Sequence, residues 1–257
     1  MQEKKITISW FGTASLRITT GSSTVFVDPF VPYSDSPVRI SQQAFTGCKH
    51  ILITHGHFDH IGSIKDLIQP DTNVYCTKTP RINMRHLGVP ERNIRLIQAG
   101  DVLNLDEFQI TVLKGAHLKN GGSVFKALFN KRVLRERKGV LRKIYQFTSC
   151  REKNETVCYL IEAYGKRILT LGSLALADGV TYAKDIDLLA LPYQGSPYLP
   201  DISQHIYGKI KARNVLLTHY DNTFPPFSSE IDTSEFEKCM KERTKVFKIR
   251  QGESITI

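Results

Sequence analysis

Residues 55–60, His-Gly-His-Phe-Asp-His, set three imidazoles and one carboxylate into a single short segment directly after the apolar run Ile51-Leu52-Ile53-Thr54. Neutral imidazole and carboxylate are donors that suit zinc and also accept iron or manganese. Nothing in the cluster supplies the thiolates of a closed structural zinc site. The chain holds eight histidines in 257 residues, so three of them in six positions is a concentration that a solvated loop does not require. On an extended segment leaving a strand, His55 and His57 point to the same side. Asp59 and His60 fall where the chain begins to turn, so one segment can feed two adjacent metals. Gly56 lets the backbone pass close to a metal, and Gly62 with Ser63 opens a helix expected over Ser63 to Ile68.

The His-x-His-x-Asp-His signature resembles that of the metallo-β-lactamase superfamily. The resemblance implies an α/β (α+β) fold, a four-layer αββα sandwich of two mixed β-sheets flanked by helices, with metals at the edge between the sheets. The opening residues 8–18 (ISWFGTASLRI) and residues 24–30 (TVFVDPF) are similar to the branch that contains the ascorbate-6-phosphate lactonases. In that branch the aspartate before proline, here Asp28, steadies a metal-bound histidine. Read by itself, Asp28 is equally a strand-end carboxylate starting a turn. The family order implies another histidine at a strand end, and the alternating run from Phe108 leads to His117, which would complete a first metal site with His55 and His57. The last family histidine follows an apolar strand. Residues 215–218 (VLLT) precede His219, which would join Asp59 and His60 on a second metal. Of the remaining histidines, His50 and His86 read as surface or packing residues, and His205 is an outside candidate for substrate contact.

One position departs from the family pattern. Where the superfamily usually carries Gly-Asp after a strand, its aspartate bridging both metals, this chain reads Gly172-Ser173. A hydroxyl is a poor ligand unless ionised, and losing the carboxylate removes a negative charge that would offset two dications. Three outcomes are open: two metals bridged by hydroxide alone, one metal held firmly and one weakly, or lost activity. The retained ligand set favours one or two divalent ions, zinc first, with manganese or iron accepted. Asp178 is a weaker substitute ligand.

The elements that must carry these residues read as one domain over 1–257. A hydrophobic fraction of 41% is ample for a core, and chains of this size commonly form single α/β units. Strands are expected around Val74 to Cys76, Val157 to Ala163 and Asp187 to Leu191, with a helix from Arg81 to Leu87. Residues 193–197 and 220–226 read as loops near the cleft whose aromatic and hydroxyl groups either contact substrate or only turn the chain. The charged start leads into a strand without the apolar core of a signal peptide, and cytoplasmic residence is the default expectation. The five cysteines lack close pair spacing, which suits reduced core thiols better than a disulfide frame.

The formal net charge is +10, and much of the excess falls in a basic amphipathic insertion at about 119–153. There Lys126, Lys131, Arg132, Arg135, Arg142 and Lys143 are interleaved with apolar residues at helical spacing, as in one or two amphipathic helices. Three readings stand: a solvated hairpin packed on the domain, a basic lid that attracts anionic substrate, or a surface that docks on anionic membrane. No specific nucleic-acid motif is present.

A divalent metal lowers the pKa of bound water toward neutrality and polarises the bond under attack, and Asp59 is placed to orient such a nucleophile. The leading expectation is a metal-dependent hydrolase of a small anionic ester or lactone. The alternatives are a phosphodiesterase acting on lipid head groups or nucleotides, and a catalytically weak metal-binding or ligand-sensing domain owing to Ser173.

Overall fold

The computed structural model describes residues 4–118, 137–150, 152–225 and 228–257. Its two sheets repeat one pattern. The first contains β1 (Thr7–Trp10), β2 (Leu16–Thr19), β3 (Thr24–Val27), β4 (His50–Leu52), β5 (Asn73–Cys76), β6 (Ile94–Leu96) and, from the C-terminal end, β14 (Ser254–Thr256). The second contains β7 (Val102–Leu105), β8 (Phe108–Lys114), β9 (Val157–Ala163), β10 (Lys166–Thr170), β11 (Leu188–Pro192), β12 (Asn214–Thr218) and β13 (Lys245–Phe247). The orders are β14-β1-β2-β3-β4-β5-β6 and β13-β12-β11-β10-β9-β8-β7. In each sheet, four strands meander antiparallel and the last of them begins a parallel half. Parallel pairing needs crossovers, and the crossover segments carry the helices that cover the outer faces.

Alternation within single strands produces the layers. In β3, Val25 and Val27 face the core shared by the two sheets, whereas Phe26 joins a second cluster with Phe58, Ile61, Ile64 and Met84. Those four come from the helices α1 (Phe58–Ile61), α2 (Ile64–Leu67) and α3 (Lys78–His86). On the far side, Ile206 and Ile210 of α5 (Leu199–Ile210) and Phe236 and Met240 of α6 (Ser234–Met240) pack against the second sheet. The result is the expected four-layer αββα sandwich. Helix α3 begins three residues before the start that the sequence suggests, because Pro80 falls in its first turn, where no intrahelical donor is needed. The Glu155 carboxylate accepts from the Thr79 N–H there, at 2.5 Å.

Of the basic stretch, the described part forms α4 (Arg137–Ser149), and the expected helix before it lies outside the described residues. Four cysteines are buried as expected, and Cys239 is exposed. Among the described residues no helix is long and apolar enough to cross a membrane.

Candidate metal centre

The chemistry-bearing residues emerge from strand ends on one edge of the sandwich. Asp28 follows β3, the turn of residues 53–57 follows β4, His117 follows β8, Ser173 follows β10 and His219 follows β12. The edge is closed by bonds between the sheets: the Val157 N–H donates to the Thr54 carbonyl at 2.9 Å and the buried Tyr159 hydroxyl to the Ile53 carbonyl at 2.6 Å. The ligand turn is therefore fixed to both sheets.

Six side chains converge as two groups of three. His55, His57 and His117 form one, and Asp59, His60 and His219 the other; within each, one potential donor atom per residue lies within 4.8 Å of the others. His55 Nε2 lies 3.1 Å from His57 Nδ1, and the His57 and His117 rings are 4.6 Å apart. Asp59 Oδ2 lies 3.0 Å from His219 Nε2 and 3.6 Å from His60 Nε2. The groups adjoin, with the His55 and His60 rings 3.9 Å apart.

Behind them stands a buried polar support. Asp28 accepts the Thr54 N–H at 2.8 Å and the Thr54 hydroxyl at 2.5 Å, and its Oδ2 lies 2.7 Å from His60 Nδ1. Gly172 touches this support: a Cβ there would come within 2.5 Å of Thr54 Cβ. Only glycine lets β10 lead so closely past the ligand turn, and the next residue, Ser173, accepts the Leu118 N–H at 3.2 Å beside His117. His219 is held at φ 61 by its own N–H, which donates to the Thr13 carbonyl at 2.9 Å. Thr13 is in turn anchored by the Asp221 carboxylate, 3.0 Å from its N–H.

Burial is the largest cause holding His55 well below the ordinary imidazole range, with repulsion from His60, His57 and His117 added. Burial brings His57 down to about 4, with His117, His60 and His219 adding to it against the pull of Asp59, and burial with His60 lowers His117. His60 goes the other way, because Asp28 and Asp59 outweigh the burial that would lower it. Burial would raise Asp59, yet His60 and the His219 hydrogen bond hold it well below the carboxylate range. The set is thus three neutral imidazoles beside an anionic group.

This arrangement fits a divalent cation. Neutral imidazole nitrogens directed at one another are mutually repulsive unless a proton or a cation lies between them, and imidazole with carboxylate is a donor set for zinc, manganese or iron. Every predicted ligand lies in one of the two groups. Among the other candidates, Asp178 is exposed on a turn and belongs to neither group, and His205 is exposed on α5. His50 is buried, with its Nδ1 3.3 Å from the Tyr75 hydroxyl and its Nε2 3.5 Å from Asp106. Tyr193 and Tyr220 are core residues rather than cleft residues, packed on Phe236 and Trp10 respectively.

The helix α4 lies across an aromatic wall beside the ligands. Phe147 packs edge-on to Phe58 and Phe224, and the Tyr33 hydroxyl donates to Gln146 Oε1 at 2.5 Å. Lys143, expected to be part of a solvated or lid-like basic face, is 5% exposed. Its ammonium donates to Asp35 and to the Pro225 carbonyl, both at 2.5 Å, and lies 4.9 Å from the Tyr33 ring centroid. The remaining wall of α4 points outward with Leu141, Arg142 and Tyr145 exposed.

Residues 7–219 match the family model described as a beta-lactamase superfamily domain, and the chain belongs to that superfamily. Within it, the chain is 29% identical over 118 residues to a metal-dependent hydrolase of Pyrobaculum islandicum, an alignment covering 45% of this chain and 52% of the relative. The chain spans about half the length of the curated relatives it matches. In three dimensions it is similar to Igni18, a metallo hydrolase from Ignicoccus hospitalis, with a TM-score of 0.65 at 16% identity over 98% of each chain. An isothiocyanate hydrolase from Delia radicum gut bacteria gives 0.63 at 13% identity, covering 97% of this chain and 98% of that one. At such identities the likeness defines the fold.

Proposed function

We propose that this chain is a metal-dependent hydrolase acting on a small anionic ester or lactone. The observation that carries the reading is the pair of adjoining donor groups, His55/His57/His117 and Asp59/His60/His219, on one edge of the sandwich. Zinc is the metal we assign first, with manganese or iron accepted by the same donors. When bound, such an ion supplies water activated near neutral pH and an electrophile for the bond under attack. The chain's own contribution is positional. Asp59, kept anionic between His60 and His219, is an acceptor that can orient an attacking water, and Asp28 with Thr54 fixes the ring of His60. The net charge of +10 favours approach of an anionic substrate.

Metal content by plasma emission, with assays of phosphorylated lactones and phosphodiesters before and after chelation, tests this reading. Turnover is expected to require metal and to be lost in His57→Ala. Turnover indifferent to both would reject the proposal. A phosphodiesterase working on lipid head groups is the second reading, favoured by the exposed Leu141, Arg142 and Tyr145 on α4. It requires strong suppression of turnover by salt and co-flotation with anionic liposomes.

A further inference from the structure

The peptide between the first two candidate ligands is gripped from both sides. The Gly56 carbonyl accepts from Asn83 Nδ2 at 2.9 Å, and the Gly56 N–H donates to Glu152 Oε2 at 3.1 Å. The other oxygen of Glu152 accepts the Glu155 N–H at 2.5 Å, so both carboxylate oxygens are committed and the side chain has one pose. Its position is set from upstream as well. Glu152 follows the C-terminal end of α4 by three residues, and α4 is fastened to the body through Lys143, Gln146 and Phe147.

The charge of this group matters as much as its hydrogen bond. The candidate ligand set contains one carboxylate, Asp59, and Asp28 stands behind His60. Two dications would bring four positive charges against these two negative ones, and Ser173 adds none. The Glu152 carboxylate, 3.1 Å from the N–H of the residue between His55 and His57, stands beside the first donor group.

We propose that Glu152 is a positioning residue of the metal centre, fixing the turn of His55 and His57 through the Gly56 N–H and supplying negative charge to a centre that carries serine at position 173. Residues behind the ligands orient them and raise their affinity for a cation, and their loss typically weakens metal binding by about 10–100-fold. The proposal rests on the reading that the two donor groups hold divalent ions.

Zinc titration of the chelated protein, in competition with a chromophoric chelator, tests it on the wild type, Glu152→Gln, Glu152→Ala and the neighbouring exposed Lys153→Gln. Glutamine removes the charge and keeps one oxygen that can accept the Gly56 N–H, with its amide group replacing the acceptor of the Glu155 N–H. The expected result is zinc affinity about 10–100-fold weaker in Glu152→Gln, weaker still in Glu152→Ala and unchanged in Lys153→Gln. The gap between wild type and Glu152→Gln should narrow as salt is raised, with the metal-free melting temperature of the glutamine variant between those of the wild type and the alanine variant. Wild-type affinity in Glu152→Gln, or a metal-free melting temperature reduced as far as that of the alanine variant, overturns the proposal. A wild type that binds no zinc, manganese or iron overturns the metal reading itself and this inference with it.

Discussion

Asp28 Oδ2 lies 2.7 Å from His60 Nδ1, with both side chains almost wholly shielded from water. The contact leaves His60 Nε2 facing Asp59 and fixes the ring against rotation. Asp28 sits at φ 46, in the left-handed region that asparagine tolerates better than most residues. Asp28→Asn is therefore a charge change with little backbone strain. It replaces one acceptor with an amide that faces the Thr54 or His60 donors, at about 1–3 kcal/mol for an imperfectly satisfied buried group. Urea unfolding of the chelated protein should show that loss, and zinc titration should show affinity about 10–100-fold weaker. Unchanged affinity would mean that Asp28 only starts a turn.

Acid should destabilise the metal-free protein before the carboxylates titrate. An unfolded imidazole takes up its proton near pH 6.5, whereas folded His57 resists until about 4 and folded His55 and His117 are also depressed. The unfolded state thus binds more protons in this window, so stability rises with pH and falls as pH drops from about 6.5 toward 4. His60 has the opposite sign: its raised value contributes stability below 6.5 that is lost as pH rises through its folded pKa. Four depressed imidazoles, His50 among them, against one raised group set the net direction. Chemical denaturation midpoints in chelator at pH 7, 6 and 5 should fall in that order; a rise toward pH 5 would contradict the balance.

The convergence of the candidate ligands was legible in the sequence because they sit where apolar strand patterns stop, and the strand ends meet through the sheet pairing. His117 after β8 and His219 after β12 needed only that pattern and the family order. The supports were not legible. Thr13 and Asp221 meet across 208 residues, Gly56 and Glu152 across 96, and no local periodicity encodes such pairs. Charge patterning groups Lys143 with a basic face that is solvated, lid-like or membrane-docking, yet it is buried because Asp35 and the Pro225 carbonyl, from two distant loops, both accept from it. Charge patterning reports the composition of a helix face and carries no information about acceptors elsewhere in the chain.

Gly12 tests the long-range support of His219. It sits at φ 99, and a Cβ there would lie 2.8 Å from Asp221 Oδ2, the carboxylate that anchors Thr13. Gly12→Ala must both occupy a region that alanine avoids and push on Asp221. The conformational part alone is worth about 1–3 kcal/mol. Thr13 would shift with Asp221, and the backbone bond from His219 to the Thr13 carbonyl would shift with it. The expected outcome is a lower urea midpoint together with weaker zinc binding at the Asp59/His60/His219 group, and lesser loss at His55/His57/His117. A lower midpoint with both affinities intact would show that the first loop supports the fold without positioning His219.

Ser173→Asp asks whether the missing carboxylate limits the centre. Ser173 is half-buried beside His117, bonded to the Leu118 N–H at 3.2 Å, and Gly172 holds the chain against Thr54, so an aspartate there starts beside His117 of the His55/His57/His117 group. Opposite unit charges about 4 Å apart attract by roughly 4 kcal/mol at an effective dielectric of 20, and desolvation of the new carboxylate offsets part of this. A retained gain of about 1.4 kcal/mol is a tenfold change in affinity. The weaker of two zinc ions should therefore bind at least about tenfold more tightly, and metal content after dialysis should rise toward two per chain if the wild type retains fewer. If stoichiometry, affinity and turnover all stay at wild-type values, serine is not the limiting feature, and any weakness of the second group must arise in Asp59, His60 and His219 themselves.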